Sequence, residues 1–185
     1  MAMDLFLVLT ALPSAPISAD PTTDQYYKTT FANQPAVEIR SFSLGVENPT
    51  TIGSATGGAG TGKIKLKELY IEKSVDTLSA SLYSRCARGG HLAKMQLFLR
   101  KTGGATTVPK PYLTYGFATV FVTNIDWGAG EGDDVPVERV TFAYGSLALG
   151  YYAQKPDGTL GAKKMATWNQ VTNAEPPETD VLTNF

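Results

Sequence analysis

The residues of this chain best suited to chemistry fall in a few places, and each set is incomplete. Gly57-Gly58-Ala59-Gly60-Thr61-Gly62-Lys63 has the glycine and lysine spacing of a phosphate-binding loop. Such a loop needs a Ser or Thr after the lysine to hold magnesium, and a helix whose first N–H groups meet the phosphates. Ile64 stands at the first of those positions, and the residues beyond it alternate as a strand does. The segment therefore reads as a flexible glycine loop. His91 is the one histidine present, so any Ser-His-Asp or Cys-His arrangement would have to use it. No Gly-x-Ser-x-Gly elbow precedes a helix, and zinc would find only His91 and Cys86 as good ligands, too few for a site. A place in a turn or an interface is expected for His91. Asp126-Trp127-Gly128-Ala129-Gly130-Glu131-Gly132-Asp133-Asp134 carries carboxylates but lacks the acidic spacing of an EF-hand, and reads as a solvated hairpin tip. Asn48-Pro49-Thr50 is no glycosylation acceptor because proline takes the middle position. The 17 acids are scattered, with nothing to mark a glycosidase pair. No catalytic residue, metal ligand or cofactor is assigned, and no enzymatic activity is expected.

The bulk composition is that of an ordinary globular domain. A chain of 185 residues fits one domain able to bury roughly 70% of its unfolded surface. Hydrophobic content is 43%, charged content 18%, and the 18 glycines and 11 prolines point to many turns. A net charge of −1 offers no basic footprint for nucleic acid. The single cysteine, Cys86, leaves no intrachain disulfide and is expected to be a buried small apolar residue. Met1 to Leu12 is apolar enough to suggest a signal peptide, yet it carries Asp4 and no Lys or Arg, against what such a segment needs. It is also too short to span a bilayer. It is read as a buried first strand, so any export would have to leave the N-terminus uncleaved.

The elements that must hold these residues are mostly strands. Pro13 to Pro35 is a long connection, with Tyr26, Tyr27 and Phe31 expected to be pinned on a surface. Ala36 to Glu47 is extended, and Asn48 to Gly62 is a second loop without a core of its own. Lys63 to Ile71 is a strand whose apolar parity slips, which a bulge near Lys67-Glu68 reconciles. One helix stands out, with Ser74 as cap, a stripe of Val75, Leu78, Leu82 and Cys86, and Gly89-Gly90 as the stop. Leu92 to Lys101 is again extended. Tyr112 to Trp127 puts Leu113, Tyr115, Phe117, Phe121, Ile125 and Trp127 on one face. Sixteen extended residues would span about 53 Å at roughly 3.3 Å each, so this strand must bend, with Gly116 the expected corner. Val137 to Tyr152 changes parity at Gly145. Two long strands that both change phase suggest a barrel or tightly joined sandwich. Lys164 to Val171 makes a last short strand, and Ala174 to Phe185, with two prolines and several acids, a frayed tail.

Several segments together resemble the Hcp family, the secreted tube proteins of type VI secretion. Met3-Asp4-Leu5-Phe6-Leu7 is similar to its first strand, and Lys63 to Lys73 followed by Ser74 and the helix is similar to its strand-then-helix unit. Gly90-His91 with Ala93, then Leu99-Arg100-Lys101-Thr102-Gly103-Gly104, resembles the next strand and turn. The most specific stretch is Glu138-Arg139-Val140-Thr141-Phe142-Ala143-Tyr144 leading to Tyr152-Ala153-Gln154-Lys155-Pro156-Asp157-Gly158, and Trp168-Asn169 also fits. The resemblance implies a mainly β fold, a two-sheet β-barrel with one short flanking α-helix, over residues 1–173, followed by a tail at 174–185. It implies a homohexameric ring with an open centre, rings that stack into a tube, and small effectors carried in the lumen. It also implies type VI sheath and spike proteins as further partners. The protein would be cytoplasmic before export and secreted through the type VI machine without a cleaved signal peptide or membrane insertion.

Asn48 to Gly62 matches an extended loop that in the family reaches an adjacent subunit or ring, so Val46, Asn48, Thr51 and Ile52 are the expected interface residues. Phe6 and Trp168 are expected structural anchors. The departure lies in Ala11 to Pro35, which is longer than the family's short glycine-containing loop. Two alternatives remain: a tail-tube protein of a phage-related contractile particle, or a secreted monomeric β-sandwich that binds through Gly57–Gly62 and Gly128–Asp134.

Overall fold

Apolar alternation along most of the chain favours strands, and strands fill the structure. The computed structural model describes residues 3–10, 17, 20, 22, 24–31, 34–51, 60–61, 63–101, 110–132, 134–155 and 159–182. In chain order the elements are β1 (Met3–Thr10), α1 (Gln25–Thr30), β2 (Ala36–Glu38), β3 (Ser41–Ser43), β4 (Val46–Glu47), β5 (Thr50–Thr51), β6 (Gly60–Thr61) and β7 (Lys65–Leu66). There follow β8 (Leu69–Ser74), α2 (Thr77–Arg88), β9 (His91–Lys101), β10 (Leu113–Gly128), β11 (Val137–Gln154), β12 (Leu160–Asn169) and α3 (Glu178–Val181). The large sheet runs β2-β1-β9-β10-β11-β8-β3, with β12 also on β11. All its pairings are antiparallel. The fold is mainly β with a flanking helix, as expected. The two-sheet barrel takes the form of one branched sheet that ends at β2 and β3, without hydrogen-bonded closure among the described residues.

The branch point explains the long strands. One edge of β11 pairs with β10 throughout, while its other edge takes β8 over Val137–Phe142 and β12 from Ser146 onward. Between the two lies Gly145. On β11 the core residues Val140, Phe142 and Tyr144 give way to Leu147, which packs against the same core from the opposite parity. On β10 the change falls between Phe117 and Val120, and on β9 between Leu92 and Met95. Pairs Ala118↔Lys94 and Val120↔Leu92, with Ala118↔Ser146 and Val120↔Tyr144, bracket Ala93, Thr119 and Gly145. These three residues form one row across three strands, and the sheet bends along it. The corner is therefore at Thr119, with φ of 55°, and not at Gly116. Beyond the corner Val120 and Val122 turn inward and Phe121 turns out to solvent, against the face assigned to it from sequence. A register shift between Val122 and Asn124 then returns Ile125 to the core, and Trp127, on the same side, lies half exposed against Tyr83 of α2.

Gly116 serves another purpose. A Cβ there would lie 2.9 Å from Leu182 Cγ and 3.0 Å from the Val181 carbonyl oxygen, so only glycine lets the C-terminal segment approach. That segment was expected to fray, yet Val181 and Leu182 are buried against Ala148, with Ala118 and Met165 alongside. Thr167 Oγ1 donates to the Pro176 carbonyl at 2.8 Å, Lys163 pairs with Glu178, and Asn169 bridges to Ala174. Its prolines and acids face outward while two apolar residues bury, a split that composition averages away.

The main core lies between the bent sheet and α2. It gathers Leu5, Leu7 and Leu9 of β1 with Leu97, Phe117, Val120, Phe142 and the helical Leu78 and Leu82. The helix cap is Asp76, whose carboxylate takes the Leu78 N–H while Ser79 Oγ takes the Asp76 N–H. Ser74 still pairs with Val137 in β8, so it cannot be the expected cap. Gly89 closes the helix with φ of 69°, as anticipated. Cys86 is half-buried at the core edge, where full burial was expected.

The outward face of β1 carries a second core. Phe6, Val8 and Phe98 pack with Tyr27, Phe31 and Ala36, so the 11–35 segment holds a short helix, α1, where only a connection was expected. Ala36 to Glu47 breaks into three strands with three different partners. The parity slip at Lys67-Glu68 is real: it separates β7 from β8 and lets Leu66 and Leu69 both point inward. No helix among the described residues is long and apolar enough to cross a membrane.

Candidate functional site: an assembly interface

A hairpin arm projects from the sheet where a plain loop was expected. Val46↔Leu66 and Glu47↔Lys65 form its lower ladder, Thr50↔Thr61 and Thr51↔Gly60 its upper one. Between the ladders the outgoing strand advances three residues and the returning strand four, which is a bulge. At the root the Lys67 N–H donates to the Gly45 carbonyl at 2.9 Å, and Leu66 is buried in the main core. Past the root only Ile64 still packs against the core, while Val46 is 55% exposed and Asn48 and Thr50 are exposed. Val46, Asn48 and Thr51 thus share one arm. Ile52 lies outside the described residues, as do most of Gly57–Gly62. Phe6 and Trp168 sit elsewhere. Phe6 stacks on Tyr27 at 4.2 Å inside the second core, and Trp168 is half-buried opposite Leu147.

A second surface is the continuation of the core face past the core. The residues Leu5↔Leu99↔Leu113↔Tyr151↔Lys164 are cross-strand neighbours in one row, and such neighbours share a face. Exposure is 7% at Leu5 and 4% at Leu99 but reaches 43% at Tyr151. The next row ends at Leu149 and Ala166, both exposed. Tyr151 meets the Tyr112 ring edge-on at 6.4 Å, and Lys101 Nζ lies 5.6 Å over the other side of that tyrosine pair, at Tyr112.

At the far end of the β10–β11 hairpin Trp127 meets Tyr83 of α2 with tilted rings 6.0 Å apart between centroids, both more than half exposed, and Val135 of the hairpin tip is exposed too. Trp127 Nε1 donates to Glu138 Oε1 at 2.8 Å. Glu138 is fully buried and Lys73 is 1% exposed; Lys73 Nζ donates to Glu138 Oε2 at 3.2 Å and to Asp76 Oδ1 at 2.7 Å, and Ser79 Oγ donates to Glu138 Oε2 at 2.9 Å. This network ties β8, β11, β10 and the start of α2 together. Sequence reasoning passed over it, although Lys73 has the parity of Leu69 and Ile71, and Glu138 that of Val140 and Phe142. A lysine and a glutamate at core positions of adjacent strands are the readable signal.

Arg100 is the second polar hub. It donates to Asp4 Oδ2 at 3.0 Å, makes a two-pronged contact with Asp24, and lies over the Phe6 and Tyr27 rings at 5.2 and 5.6 Å. Asp24 also caps α1 through the Tyr26 and Tyr27 N–H groups. Burial alone would raise the Asp24 carboxyl's pKa, but the Arg100 hydrogen bonds and charge, with those N–H groups, outweigh it and hold it below the usual carboxylate range. Burial drives the Tyr27 and Tyr144 hydroxyls far above theirs.

The remaining residues weighed for chemistry do not converge. His91 opens β9, its ring 5.4 Å from Phe121 and its carbonyl accepting from Arg85 at 3.0 Å. Asp126 accepts from the Asn124 amide at 2.6 Å. Among the described residues no three His, Cys, Asp or Glu side chains are placed to hold a metal. What the geometry offers is surface for association.

Comparisons with known proteins point the same way. The family model described as "Type VI secretion system effector, Hcp" matches residues 24–151. No curated protein matches the sequence. Among solved structures, one described as a type six secretion system protein is 27% identical, with a TM-score of 0.78 over 94% of this chain and 99% of that one. Hcp1 from Salmonella typhimurium is 22% identical with a TM-score of 0.70, over 95% of this chain and 100% of that one. A type VI secretion system effector from Yersinia pestis, 22% identical, gives 0.62 over 90% and 99% of the two chains. The low identities of the last two show shared fold, while the family model carries the assignment. Matched over most of its length by that model, the chain belongs to the Hcp family of type VI secretion system proteins.

Proposed function

We propose that this protein is a structural, non-catalytic subunit of the type VI secretion tube, assembling with copies of itself into hexameric rings that stack. The observation that carries the reading is the arm. Its four ladder pairs have no core of their own, and an isolated two-stranded hairpin is marginal in water. A neighbouring copy supplies the surface it lacks, with Val46, Asn48, Thr51 and Ile52 as the contact positions. The sheet also ends in strand edges at β2, β3 and β12, and a closed symmetric assembly covers such edges without inviting aggregation. The ring's open centre takes small effectors as cargo, and the sheath and spike of the contractile machine are its other partners. Export from the cytoplasm proceeds through that machine, with the first strand retained.

The test is negative-stain electron microscopy of the purified full-length chain at micromolar concentration. Sixfold rings with an open centre are expected. Uniform monomers from micromolar to millimolar concentration would overturn the reading.

A further inference from the structure

The apolar face of Leu149, Tyr151 and Ala166 continues the main core and stays exposed among the described residues, with only the edge-on Tyr112 ring against Tyr151. Its edge is basic: Lys164 is the cross-strand neighbour of Tyr151, and exposed Lys101 is that of Met3. The complementary surface is at the other end of the β10–β11 hairpin. There Tyr83, Trp127 and Val135 are exposed, and the adjoining hairpin tip carries exposed Glu131 and Asp134. Both surfaces therefore offer an apolar and aromatic centre with charges of opposite sign at the margin.

One copy cannot bring the two together. Tyr151 and Glu138, the partner of Trp127 across the ladder, lie on opposite sides of the bend at Gly145, at the two ends of a strand path of roughly 43 Å at about 3.3 Å per residue. We propose that the uncovered Leu149–Tyr151 face of one copy is covered by the Tyr83–Trp127 end of the next copy. The inference rests on the tube-subunit reading and adds which two surfaces meet. A contact between two different patches is heterologous, and it propagates head to tail, as rings and stacked rings require. The charges at the margin steer the encounter and fix its register, while the apolar centre supplies most of the affinity.

The experiment is reciprocal charge reversal, read by sedimentation velocity over a concentration series. Lys164→Glu alters one surface, and Glu131→Lys with Asp134→Lys alters the other. All three residues are exposed, and circular dichroism melting confirms that each variant folds. Each one-sided variant is expected to raise the concentration of half-assembly about tenfold, and the combined variant to return it to within about threefold of wild type. Because the sites are far apart within one chain, such rescue has to pass between copies. Assembly unchanged in both one-sided variants, or no recovery in the combined one, overturns this pairing while leaving the tube-subunit reading intact. A wild-type chain that never assembles overturns both.

Discussion

Thr119 and Gly145 lie across the β10–β11 ladder from one another at the bend of the sheet: a Cβ placed on Gly145 would be 3.5 Å from that of Thr119. Thr119 adopts a left-handed backbone with φ of 55°, which costs a β-branched residue about 1–2 kcal/mol. The bend requires this conformation at 119, because the core-facing parity of β10 changes there. Thr119→Asn keeps a polar side chain and tolerates the left-handed region far better. It should therefore stabilise the fold by about 1 kcal/mol, raising the melting temperature by about 2–4 °C. A lower melting temperature would mean that the Thr119 side chain contributes more than its backbone costs.

Gly116 and Leu182 form the second close approach. Gly116→Ala has to displace Leu182 or the Val181 carbonyl, and overpacking of this kind costs typically about 1–3 kcal/mol. The loss should appear first as release of the C-terminal segment, with faster proteolysis between Glu175 and Leu182 while the sheet stays folded. Leu182→Ala should release the same segment. Equal protease resistance in wild type and both variants would show that the segment is held by the Lys163–Glu178 and Thr167–Pro176 contacts alone.

These two glycines show what the sequence did and did not disclose. Gly145 was legible because large apolar residues change parity around it, a local signal. The role of Gly116 was hidden because the atoms that need its missing side chain belong to Leu182, far along the chain. Phe121 looks like core by size, yet the turn at Thr119 sends it outward and brings the smaller Val120 and Val122 in. Helix α2 was readable from its stripe and its glycine stop, whereas α1 is too short to show a period. It is held by Arg100 and two aromatic side chains from distant strands, Phe6 and Phe98. The arm was recognised as a connection without a core. Its pairing was not, since Gly, Ala and Thr leave no alternation to read.

Lys73 and Glu138 are both removed from water, so losing Lys73 leaves Glu138 buried without a cation. Lys73→Met should cost about 3–5 kcal/mol by urea denaturation. Trp127, bonded to Glu138, should report the change through its fluorescence. The double variant Lys73→Met with Glu138→Leu should recover at least half of the loss, because no charge is then left buried. A double variant as unstable as the single would show that the Ser79 and Trp127 bonds to Glu138 matter more than the ion pair.

Acid should undock α1 before it unfolds the sheet. The Asp24 carboxyl has a folded pKa below its ordinary 3.8, so its contribution is present above that value and is lost as pH falls through the folded pKa. Protonation removes the Arg100 pair and weakens the α1 cap together. Hydrogen exchange at Tyr27 and Phe31 should therefore accelerate below about pH 4 while the β10–β11 amides remain protected. In Asp24→Asn, which can still cap the helix but cannot pair with Arg100 as an anion, that acid-dependent step should be absent. Coincident exposure of α1 and the central strands in the wild type would refute a separate α1 step.

The arm should matter for assembly and very little for folding. Of its residues Leu66 roots it in the core, while Val46 gives its exposed surface to solvent in the isolated chain. Val46→Asp leaves the root ladder and the sheet untouched, so the thermal midpoint of the monomer should stay within about 0.5 kcal/mol equivalent of wild type. In a ring the same aspartate would be buried against a neighbour without a partner, a penalty of several kcal/mol that mass action cannot offset at micromolar concentration. Electron microscopy should then show monomers where the wild type shows rings. Leu66→Ala is the contrasting variant. It removes a buried side chain and should lower the monomer's stability by about 2–3 kcal/mol whatever the state of assembly. Rings retained by Val46→Asp would remove the arm's exposed side from the interface and leave the uncovered sheet face to hold the copies together.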